Sequence, residues 1–173
     1  KIATIASTGF HAPNIDDTGK LFYKGSILTI PNFNLEPEYA RTLELNITKN
    51  LNNRLLFNVN TYYTFIEDAI MRVNTNLDFQ INQDEFFTEA KTNENTGNAE
   101  IYGTTASASL RIAGNFTLET DYTIIEGRNI DNDLPFTHIP PTFGKTAFYA
   151  DFDSWRASFF IMYNGRKAIE EYD

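Results

Sequence analysis

The sequence predicts an all-β chain, an antiparallel up-and-down meander of about seven strands, and three observations predict it. Apolar and polar residues alternate with period two over long stretches, which gives each strand one apolar and one polar face. Aromatic residues, which favour strands, are abundant, with Phe 15 and Tyr 9 against Trp 1 and Met 2. Tight turns alternate with long polar connections, so the tight turns all fall at one end of the meander.

Taken in order, Lys1 to Thr8 reads as the end of a strand with Ile2, Thr4 and Ala6 on one face. A long irregular segment follows from Gly9 to Glu38, where Pro13, Pro31 and Pro37 argue against a central strand. The organising hairpin runs from Tyr39 to Phe65. Its apolar face carries Leu43, Leu45, Ile47, Leu55, Phe57, Val59, Tyr63 and Phe65, and its polar face Thr42, Glu44, Asn46, Thr48, Arg54, Asn58 and Asn60. A turn over Lys49 to Asn53 sets Thr48 opposite Arg54. Asp68 to Asn98 is a second polar connection, with a short helix expected over Asp84 to Lys91.

The next strand, Ile101 to Ile112, places Tyr102, Ala106 and Leu110 on one face and Ser107, Ser109 and Arg111 on the other. The turn Ala113-Gly114-Asn115 sets Ile112 opposite Phe116 and leads into Leu118, Tyr122 and Ile124 against Glu119 and Asp121. A third long connection, Arg128 to Pro141, is followed by Phe148, Ala150 and Phe152 alternating with Tyr149 and Asp151. The tight Asp153-Ser154 turn opens the last strand, with Trp155, Ala157, Phe159, Ile161 and Tyr163 on its apolar face.

At 173 residues the chain can be one domain, and 42% hydrophobic residues is globular composition. The formal net charge of -9 argues against nucleic acid as a partner, since phosphate neutralisation needs a Lys/Arg-rich surface. Cys 0 removes disulfides, thiol chemistry and thiolate metal sites. No apolar run is long enough for a membrane helix, but a barrel strand needs only about 9 to 11 alternating residues. The chain opens and closes in mid-pattern, so a piece of a longer protein is expected.

The short/long rhythm of connections is that of outer-membrane barrels, with short periplasmic turns and long extracellular loops. Outward aromatics agree: Phe116, Phe152 and Trp155 fall at the turn end, Tyr63, Phe65, Tyr102 and Tyr163 toward the loop end, and aliphatic residues between. The alternative is a soluble or surface-exposed β-rich binding module, such as an adhesin sandwich, whose core these aromatics would fill.

Several motifs resemble those of TonB-dependent outer-membrane receptors. Gly9-Phe10-His11-Ala12-Pro13-Asn14 resembles the family's Phe-Arg-Ala-Pro box, with His11 in place of Arg. Pro31-Asn32-Phe33-Asn34-Leu35-Glu36-Pro37-Glu38 resembles the Asn-Pro-Asn-Leu-Lys-Pro-Glu motif that precedes the next barrel strand. Ala99-Glu100-Ile101-Tyr102-Gly103 and Ile139-Pro140-Pro141 with Gly144 are similar to starts of later strands. The resemblance is closest to iron and cofactor receptors of Bacteroidetes-type bacteria. It implies that residues 1–173 are part of a transmembrane β-barrel of about 22 strands with a plugged lumen, the plug and final strand lying outside this sequence. It also implies an outer-membrane location, lipid contact, energisation by TonB through an amino-terminal part, and a ligand such as an iron-siderophore complex. An isolated fragment is expected to oligomerise or aggregate through its open edges.

On that reading the lumen wall carries Glu44, Arg111, Glu119, Asp121, Asp151 and Arg156, with Asp151 opposite Arg156 and Arg111 diagonal to Glu119. The extracellular loops carry the candidate ligand-binding residues His11, Asp16, Asp17, Asp131, Asp133 and His138. Haem receptors of the family place a haem-ligating His between the two boxes, and none lies between Asn14 and Pro31. The four aspartates offer oxygen ligands of the type Ca²⁺ uses, although acidic loops are ordinarily just solvated. No resident cofactor or metal is expected. No Gly-rich phosphate loop, paired-His zinc spacing or nucleophile elbow occurs, so the chain is not expected to be an enzyme.

Overall fold

The computed structural model describes residues 1–75, 89–131, 133–135 and 139–166. In chain order the elements are β1 (Ile2–His11), the single-turn helix α1 (Ile15–Thr18), β2 (Phe22–Lys24), β3 (Ile27–Ile30), β4 (Glu38–Leu51), β5 (Leu55–Glu67), β6 (Ile70–Thr75), β7 (Glu89–Asn95), β8 (Ala99–Ala113), β9 (Phe116–Asn129), β10 (Leu134–Pro135), β11 (Phe143–Phe152) and β12 (Trp155–Asn164). The expected meander is present: the main sheet runs β1-β4-β5-β8-β9-β11-β12, all antiparallel, with the short β10 attached to β9. A second sheet, β2-β3-β7-β6, is built from the first two long connections.

The period-two alternation survives as two chemically distinct faces. One row across the sheet reads Ile2–Ile47–Val59–Ala106–Tyr122, another Leu51–Leu55–Leu110–Leu118–Phe148–Phe159. The opposite face has rows such as Thr48–Asn58–Ser107–Asp121–Lys145. Among the described residues no second sheet covers the apolar face, and Leu43, Ile161 and Phe159 stay 57%, 55% and 66% exposed. In a sandwich that face is the core and is buried. Here the polar face is the one that gains cover, at the loop end only.

Two of the three tight turns differ in detail from expectation, and face assignment holds in every case. Thr48 lies opposite Asn58, not Arg54. Asn52 and Asn53 both have φ +52, so the hairpin reverses later, over a turn closed by Arg54 N–H donating to Leu51 O at 3.1 Å. Left-handed backbone at both central positions suits asparagine and matches the twist of the flanking strands. At the next turn Ala113, not Ile112, pairs with Phe116, and Ile112 is the extra residue of a bulge between Arg111 and Ala113. The bulge absorbs the odd residue, so Leu110 still faces Leu118. The Asp153-Ser154 turn is as expected, with Phe152 opposite Trp155.

The first two long connections are more structured than expected. Gly9 to Glu38 contains α1 and the β2–β3 hairpin, and β3 is a central strand of the small sheet, correcting the expectation of an irregular segment. Proline excludes only its own positions, and β3 sits in the proline-free interval before Pro31. The helix expected over Asp84 to Lys91 is not supported where it can be seen: Glu89, Ala90 and Lys91 open β7, paired on both edges, and the remaining positions lie outside the described residues. Pairing on two sides outweighs the helix propensity of Glu, Ala and Lys.

Aromatic rings cover two glycines of the wall. Tyr62 lies over Gly103 on the polar face, and on the apolar face Tyr122 and Tyr163 stack at 6.1 Å beside Gly144. A Cβ at Gly144 would overlap the Asp121 carbonyl oxygen and the Tyr163 ring. Gly144→Ala is therefore expected to cost about 1–3 kcal/mol by overpacking. Urea titration of the folded full-length protein checks this, and an unchanged midpoint would refute the close approach.

Candidate functional site

The polar face brings Glu44, Arg111, Glu119, Asp121, Asp151 and Arg156 to one side of the sheet, as their parity required. Asp151 and Arg156 form a two-pronged pair, Nε to Oδ1 at 3.1 Å and Nη2 to Oδ2 at 3.0 Å. Arg111 and Glu119 do not pair: Arg111 is opposite Thr117, and Glu119 accepts from Ser109 Oγ at 3.4 Å. Arg111 keeps the expected diagonal register to Glu119 without an ion pair between them, and the bulge at Ile112 lies beside Arg111.

At the loop end this face is roofed. Ile66, Ala69 and Ala99 form a buried cluster with Ala40 and Ile101 against it, and Asn129, fully buried, lies in the same row as Ala40, Ile66 and Ala99. Asn129 Nδ2 donates to Thr96 Oγ1 at 2.9 Å and Thr96 O at 3.2 Å and touches Met71 Sδ at 3.5 Å, while its Oδ1 accepts from Asp131 N at 2.9 Å. The roots of β6 and β7 are thereby fastened to the end of β9. Among the described residues the small sheet meets the polar face along this last row.

The loop candidates do not gather at one point. His11 ends β1 between two acids, Nδ1 3.2 Å from Glu38 Oε1 and Nε2 3.6 Å from Asp17 Oδ2. Glu38 Oε2 also accepts from Ile70 N at 3.0 Å, so this histidine sits where β1, α1, β4 and β6 meet. Asp16 and Asp17 occupy the first turn of α1 in a capping box with Asn14, whose Oδ1 accepts from Asp16 N at 2.7 Å and whose N–H donates to Asp17 Oδ2 at 2.9 Å. Asp131 Oδ2 accepts from Asn98 N at 2.7 Å, and Asp133 lies 3.4 Å from Arg128. His138 lies outside the described residues. Among the described residues no group of three or more His, Asp or Glu side chains could hold a metal ion.

Reading the sequence missed the residues that do the joining. Glu38, Asn93, Asn95 and Asn129 hold the connections together, and no periodicity marks them. A polar rim on the apolar face was also missed. Tyr63 and Tyr102 donate their hydroxyls to Glu100 at 2.7 Å and Glu126 at 2.6 Å, and Arg128 Nε meets Glu100 Oε1 at 2.7 Å. Beside it Arg41 pairs with Glu67 at 2.9 Å. Tyrosines with apolar rings below and hydroxyls reaching charged partners above are what a membrane interface selects. At the other end Phe116, Phe152 and Trp155 pack in sequence, with ring centroids 5.6 and 4.4 Å apart.

A single-layered wall with its apolar face uncovered, bounded by aromatic rows and roofed on its polar side, narrows the families that fit. The TonB dependent receptor-like β-barrel family matches residues 5–172, nearly the whole chain. The chain belongs to the TonB-dependent receptors. Against curated proteins nothing matches. Among solved structures the receptor segment is similar to the copper transporter OprC, at 16% identity and TM-score 0.74 over 92% of the chain. It is also similar to a Serratia marcescens hemophore receptor, HasR, in complex with its hemophore HasA and heme, at 18% identity and TM-score 0.71 over 94% of the chain. The FrpB iron transporter from Neisseria meningitidis (F5-1 variant) matches at 15% identity and TM-score 0.59 over 92%. These likenesses show the fold. The receptor segment spans 23%, 29% and 24% of the length of those three chains. Members of the family are outer-membrane β-barrel transporters and receptors.

Proposed function

We propose that this chain is part of the barrel wall of an outer-membrane receptor that imports a scarce ligand with energy delivered through TonB. The observation that carries the reading is the pairing of an uncovered apolar face with a polar face roofed only at its loop end, where a ligand arriving from outside is met. Polar residues from Glu44 to Arg156 line the route inward, and the loop residues His11, Asp16, Asp17, Asp131 and Asp133 lie along its rim. An iron-siderophore complex is the first choice of ligand, with haem or a corrinoid behind it; similar folds include structures described as iron and copper transporters and as a hemophore receptor. TonB engagement belongs to an amino-terminal part beyond this wall. Because β1 and β12 each leave an edge unpaired among the described residues, an excised segment self-associates until those edges are covered.

Uptake of radiolabelled ferric chelates by cells carrying the full receptor tests the proposal. Uptake should exceed that of receptor-deleted cells at least tenfold for one chelate class and collapse when TonB is deleted. Uptake that persists without TonB would overturn energised transport, and no uptake of any ferric chelate, haem or corrinoid would overturn the ligand class.

A further inference from the structure

Three sets of contacts join segments that the barrel hairpins keep apart in the chain. First, β3 of the first long connection lies parallel to β7 of the second, from Ile27 opposite Glu89 to Ile30 opposite Thr92. Second, asparagine amides cross between the same two connections. Asn32 Nδ2 donates to Asn93 O at 2.8 Å and Asn93 Nδ2 to Asp17 O at 3.0 Å. Asn95 uses both ends of its amide, accepting from Glu36 N at 2.8 Å and donating to Glu36 O at 2.9 Å and Asp68 O at 2.7 Å. Third, Asn129 and Asp131 of the third connection hold Thr96 and Asn98 at the base of the second.

Resting on the receptor reading, we propose that β2, β3, β6 and β7 form one mechanical unit, a plate clamped by the β3–β7 pair and tied to Asn129 and Asp131, that opens as a body and not loop by loop. The physical reason is that parting the first and second connections breaks a backbone ladder and strips Asn95 of its donors and acceptors in the same step. Smaller rearrangements leave those groups with no substitute partner but water, so the joint opens whole or stays shut. His11 fits the same scheme: wedged between Asp17 and Glu38, it holds the root of the plate to the last residue of β1.

Hydrogen exchange read by mass spectrometry on the full-length receptor tests the coupling without any ligand. Asn95→Ala should accelerate exchange about tenfold both in its own strand and in residues 27–30, which lie in a different connection. Acceleration confined to residues 89–98 would overturn the proposal. Since that variant could loosen the plate entirely, a second variant keeps the wild-type amides. Leu28 and Ala90 are register partners, and the sequence has Cys 0, so Leu28→Cys with Ala90→Cys adds a unique thiol pair to this segment. On mild oxidation the pair should cross-link equally in respiring and in uncoupler-treated cells. Several-fold less cross-linking in respiring cells would show that the connections part during the working cycle, and no cross-linking would contradict the register; either result overturns the proposal. Neither readout depends on uptake, so the plate and the transport reading can fail separately.

Discussion

Arginine at Phe159 should cost about 2–4 kcal/mol of folding stability in a bilayer, the amount expected for a cation near mid-depth on a lipid-facing barrel strand, with about 1–2 kcal/mol at Phe57 and Leu118 nearer the turn end. All three lie on the apolar face, between the Phe152–Trp155 end and the Tyr63–Tyr102 row. The depth follows from the strands. From Leu55 to Phe65 the chain advances about 34 Å at about 3.4 Å per residue, and a tilt near 45° turns that into a rise of about 24 Å, the height of the apolar band. By the same measure Phe159, four residues beyond Trp155, lies about 10 Å inside the turn-end edge, while Phe57, two residues beyond Leu55, lies about 5 Å inside it. Arginine at Asn58 or Ser158, or a charge reversal at Glu119, should stay within about 1 kcal/mol, because the polar face already solvates or hydrogen-bonds its side chains. Asn58 gives up only neutral contacts, to Thr48 Oγ1 at 2.9 Å and Asn46 Oδ1 at 3.3 Å. Equilibrium unfolding of the full-length barrel in vesicles decides. Equal costs on the two faces would mean that the uncovered apolar face meets protein instead of lipid.

Asn129→Ala should loosen the roof by about 2–3 kcal/mol while leaving the wall intact. The side chain is fully buried and serves Thr96 twice and Asp131 once. Alanine strands the Thr96 carbonyl and the Asp131 N–H where water reaches them poorly, and each unpaired buried group costs about 1–3 kcal/mol. Asp131 would then lose the hold that lets it cap Asn98 beside Gly97, whose φ is +92. Limited proteolysis should cut the second connection faster in the variant, with the paired core of the main sheet unaffected. Unchanged cleavage would show that the Ile66, Ala69 and Ala99 cluster alone holds the roof.

Face assignment was legible because side-chain direction has period two, and small register errors of even length do not disturb it. Thr48 was set against Arg54 and lies against Asn58, yet it stays on the polar face. The Asp151–Arg156 pair was legible for a local reason: a two-residue turn leaves no freedom in register. Arg111 and Glu119 sit across the turn where a bulge intrudes, and there the diagonal register holds without an ion pair. The two-sheet arrangement, the parallel β3–β7 joint and the seat of His11 between Asp17 and Glu38 were not legible. They join short segments separated by whole barrel hairpins, and no repeat connects Ile27 to Glu89 or Asn129 to Thr96.

By itself the sequence determined the strands of the main sheet, their faces, the two aromatic rows and the family, since all of these follow from neighbours in the chain. Only the tertiary structure decided how the long connections meet one another and the polar face. Their hold comes from buried amides and a few backbone bonds between distant residues, a kind of interaction whose energy depends on meeting and not on pattern.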